Sequence, residues 1–455
     1  MVNFYDIVWG AGVGIGTPYW LIKQSAREKV VKAFRQRMGR DIAAREGDAP
    51  CILIHAVSLG EMNATRALVA NLQSSRPDLH IIVSTTTNTG YDRGLALYAN
   101  SPNISLIRFP LDLSPAIDRL LDRLRPDLVV LLELEVWPNF ILRASRRRIP
   151  VVVINGRLTT SSFRNYRLAG PLVNRTFARL ALVAAQDQTY ADRFIAVGAN
   201  PDRVVITGTM KFDNAQVTPH VAGSSDLAKT LDLLPGDHPI WVCGSTGPGE
   251  EAIILRVYRD LLLRIPTLRL VLVPRHPERF DEACQLVHDA NFTCIRRSDP
   301  TRRFGNHNPH PPVIIGDTMG ELRKLYALAD VILVARSLVD LGPRQHGSDM
   351  IEPAALGKPI IVGKYTANFA DAMSRFRTAN AIVEVTTEDQ LKSAVARLLE
   401  DPAEAQALGQ RAANVVRENQ GATDRNARII LEMLDESRPS ASPAATTSPV
   451  VVGGP

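Results

Sequence analysis

CILIHAVSLGEMNATRALVANLQSS, residues 51–75, reads as a strand, a turn and a helix in succession. Cys51 to Ile54 is uniformly apolar, Gly60 lets the chain turn, and over 62–74 Ala64, Leu68 and Leu72 recur on one helical face. Glu61 opens that helix. A carboxylate there is either an ordinary helix-start residue, which the helix dipole favours, or a proton acceptor at the end of a buried strand. The two roles pull its pKa in opposite directions, because the helix N-terminus lowers it and desolvation raises it.

The same rhythm continues outward. Short apolar runs predict strands at 51–57, 81–86, 104–109, 128–132, 151–155, 181–185 and 204–207, separated by amphipathic stretches. It pauses over a Pro-, Gly-, Ser- and Asp-bearing segment, 214–238, and restarts with strands at 240–243, 268–273, 293–295, 313–315, 331–334, 360–362 and 382–385. Strands that are apolar throughout and alternate with helices indicate parallel sheets covered on both faces. At 455 residues the chain is also too long for one core, so two α/β domains of about 150–200 residues each are expected. The resulting division is 1–47 for an N-terminal segment, 48–213 and 239–437 for two Rossmann-like domains, 214–238 for a linker and 438–455 for a disordered Ser/Pro-rich tail.

A net charge of +6 points to an anionic partner. Low aromatic content and the absence of zinc-finger or RNA-binding spacing argue against a nucleic-acid reader. Residues 7–22 carry no charge, but they are too short and glycine-rich for a free-standing membrane span. The basic stretch 23–40 follows with helical apolar spacing, which reads either as docking on an anionic membrane face or as a solvated basic helix. The four cysteines form no C-x-x-C pair and are expected to be buried reduced thiols. HNPH, residues 307–310, lies in a Pro-rich loop and lacks metal-ligand context.

Ligands of doubly wound sheets bind beyond the carboxyl ends of the strands, so those loops carry the candidate chemistry. GSTGPGEE (244–251) offers small residues and a helix N-terminus, either a phosphate cradle or a plain turn. Arg275 and His276 end a strand where a guanidinium can pair with phosphate. GDTMGEL (316–322) brings Gly320, and Glu352 falls in the first turn of a short helix, where the dipole favours its ionised form. In the first domain Glu133 and Glu135 are two residues apart, on one side of an extended chain, and Lys211 follows the last strand.

Taken together, HAVSLGE, ELEVWPN, INGRL, GTMKFDN, VPRHPERF, GDTMGELRKLYALAD, IEPAALGKPIIVG and YTANFADA resemble the 3-deoxy-D-manno-octulosonic acid (Kdo) transferases, in the order that family has them. The resemblance implies a GT-B architecture, with two Rossmann-like domains facing each other across a cleft and a membrane-associating N-terminal segment. It implies an inverting glycosyltransferase that moves Kdo from CMP-Kdo to the lipid A precursor, lipid IVA, at the cytoplasmic face of the inner membrane. No metal or resident cofactor is expected. Carried over residue by residue, it makes Glu61 the proton acceptor and Glu133 and Lys211 transition-state stabilisers. Pro274, Arg275, Met319, Gly320, Glu321, Asp349, Met350, Ile351 and Glu352 would line the CMP site. A GT-B transferase with another donor or acceptor, a sugar-nucleotide epimerase and a non-enzymatic binding protein are the alternatives. The chain departs from the family at Ala335-Arg336, where a glycine pair is usual, and at DLGPRQHGSDMIEPA, where Asp349 replaces an asparagine. An added acid near a phosphate costs binding unless Arg336 or Arg344 offsets it.

Overall fold

The computed structural model describes Asp6 and residues 35–168, 170–234, 236–304, 310–342 and 345–438, with backbone alone at 302–304. The uncharged run 7–22, most of the basic stretch, His307–Pro309, Arg344 and the tail from 439 lie outside the described residues. Among those described, no helix is long and apolar enough to cross a membrane. The chain divides into two units, 1–213 with 421–455, and 214–420.

The first unit is built on seven strands: β1 (Cys51–His55), β2 (His80–Thr85), β3 (Ile104–Arg108), β4 (Leu128–Leu132), β5 (Val151–Gly156), β6 (Leu182–Ala185) and β7 (Val204–Ile206). They pair in parallel in the order β3-β2-β1-β4-β5-β6-β7. The central strands β1, β4 and β5 are buried at every position, as expected for a sheet covered on both faces. Alternate residues feed two separate cores. Leu53, Val129 and Val153 join one, while Ile54, Val130 and Ile154 join the other, as period-2 side-chain alternation requires. The helix Leu59–Ser75 buries Met62, Leu68 and Leu72 in the second core.

The second unit carries β8 (Ile240–Thr246), β9 (Arg269–Pro274), β10 (Cys294–Arg296), β11 (Asp299–Phe304), β12 (Val313–Ile315), β13 (Val331–Val334), β14 (Ile360–Gly363) and β15 (Val383–Val385). Their order is β11-β10-β12-β9-β8-β13-β14-β15, parallel except for β11, which pairs antiparallel with β10 at the edge. Every strand expected from the sequence is present, with ends shifted by at most three residues. β11 was not expected, because DPTRRF has neither apolar alternation nor β-branched enrichment. Cys51, Cys243 and Cys294 are buried and Cys284 partly so, all as free thiols.

Two domain boundaries need correction. Residues 214–238 are not a bare linker: the helix Ser224–Leu231 buries Leu227, Ala228 and Leu231 and belongs to the second unit. The last helix, Ala422–Ser437, was assigned to the second domain, yet it falls in the first unit. Ala427, Ile430 and Leu434 complete the core over β1, β4 and β5, beside the helix Leu59–Ser75. Burying a side chain such as Ile430 or Leu434 contributes about 1.5–3 kcal/mol, so the first core is finished only when the chain returns to it.

Each sheet reverses its strand order near its centre. In the first unit the gap opens between β1 and β4, and in the second between β8 and β13. Loops leave the two strands flanking such a gap in opposite directions, which makes a crevice at their carboxyl ends.

Candidate active site

In the first unit the β1–β4 crevice collects carboxylates. Glu61 is the third residue of its helix, and Ser58 is the N-cap. The Glu61 amide donates to Ser58 Oγ (3.2 Å), Ser58 Oγ–H donates back to Glu61 Oε1 (2.8 Å), and the Val57 amide donates to Oε2 (2.9 Å). This is a capping box, so the helix-start role is real. It does not exhaust the group, because each carboxylate oxygen keeps a further lone pair. Burial raises the Glu61 pKa above its usual value, and the charge of Glu133 adds to that, against the hydrogen bonds from Val57 and Ser58. Desolvation therefore outweighs the helix N-terminus, and the carboxylate is made more basic.

Glu133 and Glu135 follow β4. Their backbone is not extended: Glu133 sits at φ 57°, donates its amide to the Ile154 carbonyl (3.0 Å) and turns the chain sharply. Glu135 accepts from the Trp137 indole N–H (2.9 Å). Burial pushes its pKa from the usual 4.5 to about 7, helped by the charges of Glu61 and Glu133. The three acids therefore act on one another, and the structure brings them together.

Lys211 is exposed, and its side chain makes no ion pair with a described residue. Its loop is fixed from below. Asn155, buried at φ 51° in the INGRL segment, accepts the Met210 amide on Oδ1 (3.1 Å), while its carbonyl accepts from Gln186 Nε2 (3.0 Å). Sequence reading gave Asn155 no role. Its signal was the Asn-Gly step at a strand end, where asparagine tolerates positive φ.

In the second unit two adjoining cavities of ≈ 560 and ≈ 230 Å³ share Ser245, Arg275, Leu322 and Glu352. Pro274, Met319 and Gly320 line the smaller and Asp349 the larger. Met319 is 72% exposed, and Gly320 stands at φ 83° with open space where a Cβ would be. Three of the expected CMP residues do not line either cavity. Met350 and Ile351 are buried in the core. The Glu321 carboxylate pairs with Arg297 (3.0 Å) and Lys324 (3.4 Å) and accepts from Thr318 Oγ1 (2.5 Å), which keeps its pKa low despite partial burial. Glu352 departs from the dipole argument: burial raises its pKa, Asp349 adds to this, and Arg323 opposes it. A five-residue helix, Ile351–Ala355, offers too little dipole to reverse that.

The GSTGPGEE turn is not an open phosphate cradle. The buried Glu250 carboxylate accepts from the amides of Gly247, Arg336, Ser337 and Leu338 at 2.7–2.9 Å. Glu251 pairs with Arg279 (2.7 Å) and accepts from Thr246 Oγ1 (2.7 Å), so Arg279 is a buried structural cation. What the Glu250 clamp does is fix Arg336 at φ 60° on the β8–β13 gap. The Arg336 guanidinium donates to the Gln345 carbonyl (3.3 Å) and side chain (2.8 Å) and to His276 Nε2 (3.1 Å). Burial and the neighbouring Arg275 cation lower its pKa. Two guanidinium groups crowded at one cavity make a site for an anion. Ser245, Leu322, Arg336, Asn368 and Phe369 were not among the expected site residues. Asn368 and Phe369 lie in YTANFADA, whose residue types alone point to no chemistry.

A sequence profile described as 3-deoxy-D-manno-octulosonic-acid transferase (kdotransferase) matches residues 32–214. The chain is 35% identical to the 3-deoxy-D-manno-octulosonic acid transferase of Haemophilus influenzae, over 89% of this chain and 93% of that one. It is 32% identical to the Bordetella pertussis protein of the same name, over 86% and 89%. Among solved structures, the UDP-GlcNAc 2-epimerase of Neisseria meningitidis superposes with a TM-score of 0.56 at 15% identity, covering 85% of this chain and all of that one. That last likeness concerns the GT-B-like fold alone.

Proposed function

This chain belongs to the 3-deoxy-D-manno-octulosonic acid transferase family and is a glycosyltransferase of lipopolysaccharide biosynthesis; from that premise we propose that it moves Kdo from CMP-Kdo to lipid IVA at the cytoplasmic face of the inner membrane. The reaction is a single inverting displacement. An acceptor hydroxyl gives its proton to Glu61 as its oxygen attacks the anomeric carbon of the donor. The bond from that carbon to the CMP phosphate breaks, and CMP leaves with the electron pair. Glu133 and Lys211 stabilise the transition state, the carboxylate facing positive charge at the sugar ring and the amine facing the departing phosphate. The second unit binds the nucleotide, with Arg275 as the phosphate partner and Glu352 and Asp349 beside it.

One observation carries this reading. Glu61 stands at the strand-order reversal of the first sheet, beside two more acids, with its pKa raised by burial. A general base works best when its pKa approaches the working pH, and this environment moves an ordinary glutamate in that direction. A second reading, with Glu135 as the proton acceptor, is favoured by its pKa of about 7.

The test is to incubate the protein with CMP-Kdo and lipid IVA and weigh the acceptor by mass spectrometry, with other nucleotide sugars in parallel. A gain of one or more Kdo masses from CMP-Kdo alone is expected. An unchanged acceptor, from a folded protein that binds CMP, overturns the proposal. A gain from another donor reassigns the substrate.

A further inference from the structure

Next to the acid cluster the first unit holds another cavity, of ≈ 400 Å³, which none of the roles above uses. Val136 and Trp137 line it from the loop after β4, and Tyr166, Val173 and Phe177 from the helices Thr160–Leu168 and Pro171–Phe177. Among the described residues its one lining carboxylate is Glu135; burial raises the pKa of the Tyr166 hydroxyl and the Glu135 charge adds to that. One side of the cavity thus meets the acids, and apart from the hydroxyls of Tyr166 and Thr176 the rest is apolar.

The surface around it has an unusual composition. From Val136 to Gln186 the chain carries nine arginines and no aspartate or glutamate, although Arg143 and Arg147 are paired with Asp118 of a neighbouring helix. Arg164, Arg167, Arg175 and Arg179 lie on or just after the two lining helices, are exposed, and form no ion pair with a described residue. Between them Leu168 is 82% exposed and Leu172 53%. Large apolar side chains held in water beside unpaired cations fit an amphipathic anion with a hydrocarbon tail. Asp6, the residue before the uncharged run 7–22, is tied to this edge as well, since its carboxylate accepts from Asn139 Nδ2 (2.8 Å), two residues beyond Trp137.

We propose that this cavity is an acyl-chain subsite: one fatty-acyl chain of the anionic glycolipid acceptor enters between Trp137 and Phe177, while the exposed arginines of the same helices gather its head group. The volume, at the low end of the roughly 300–1,000 Å³ of ligand pockets, suits one chain rather than a whole lipid. The proposal rests on the transferase reading and gives its acceptor a seat beside Glu135.

The test uses the full-length protein, CMP-Kdo and a series of lipid IVA analogues whose acyl chains are short enough to stay monomeric. In the wild type KM for the acceptor should fall about fourfold for each added methylene, until the cavity is full, with kcat nearly constant. In Val173→Phe, or in Tyr166→Trp should the first fail to melt cooperatively, that dependence should flatten. KM independent of chain length in the wild type overturns the proposal. So does a slope that persists in a folded cavity-filled variant, which places the chain elsewhere. Activity that ignores chain length but rises with anionic vesicles also overturns it, by giving the apolar surface to the bilayer. No transfer to any analogue, nor to lipid IVA itself, would instead remove the transferase reading.

Discussion

The two strand-order reversals make a useful pair. Both sheets turn back at a central gap, β1–β4 in the first unit and β8–β13 in the second; the first gathers acids, while the second sets two guanidinium groups beside the carboxylates of Asp349 and Glu352. The first crowds Glu61, Glu133 and Glu135, and burial with mutual repulsion raises Glu61 and Glu135. The second crowds Arg275 and Arg336, and burial with repulsion lowers Arg336. The reversal is the same and the charge gathered at it is not: acids alone among the named groups in the first, cations mixed with acids in the second. Topology therefore supplies a place, and the residues at the strand ends decide whether that place accepts protons or binds an anion.

The largest effect should come from breaking the acidic half. Glu61→Gln keeps the side-chain shape and can still accept from Val57, but it cannot take a proton. Transfer should fall at least about 10²-fold with CMP affinity unchanged, measured by product formation and calorimetry. In the wild type the rate should fall as pH drops through the raised Glu61 pKa, and that acidic limb should vanish from whatever activity the variant keeps. Full turnover in Glu61→Gln would hand the role to Glu135. Breaking the basic half should cost less and in another currency. Arg275→Ala removes a charge-assisted bond to the donor, worth about 1.5–3 kcal/mol, so CMP binding should weaken roughly tenfold to a hundredfold. The acidic limb of the pH profile should stay where it was. A shifted limb in Arg275→Ala would mean that the two halves are not chemically separable.

What could be read without coordinates follows the physics of each feature. The strands were legible because burial on both faces forces continuous apolar runs, and Glu61, Glu133 and Arg275 were legible because they end such runs. The helix Ala422–Ser437 was not, since an amphipathic stripe declares that it covers a core but not which one. Glu133 at positive φ was hidden because nothing in Glu-Leu-Glu distinguishes a turn from an extended chain. The GSTGPGEE turn stayed open between two readings for a deeper reason. A glycine-rich turn before two glutamates looks the same whether its amides await a phosphate or already hold the protein's own carboxylate. Arg336, placed by that clamp, could be seen only as a departure from the family's glycines.

Glu135 offers the finest test of the acidic half, because its expected effect on transfer is small, under about tenfold, if Glu61 is the base. Its signature lies in stability instead. Its folded pKa, about 7, stands above the usual 4.5 because burial and two neighbouring acids disfavour the charged form. The native state therefore holds a proton that the unfolded chain releases near pH 4.5. The stability associated with that proton is fully present below pH 4.5 and is lost as pH rises through about 7. Glu135→Gln mimics the protonated form and cannot lose it. The variant and the wild type should then melt alike at pH 4.5, while at pH 8 the variant should be the more stable by roughly 1–3 kcal/mol, after allowing for the hydrogen bond from Trp137. Thermal melts at the two pH values decide it. An equal difference at both would mean that Glu135 is ionised throughout, and that the acids of the first unit do not crowd one another as the arginines of the second do.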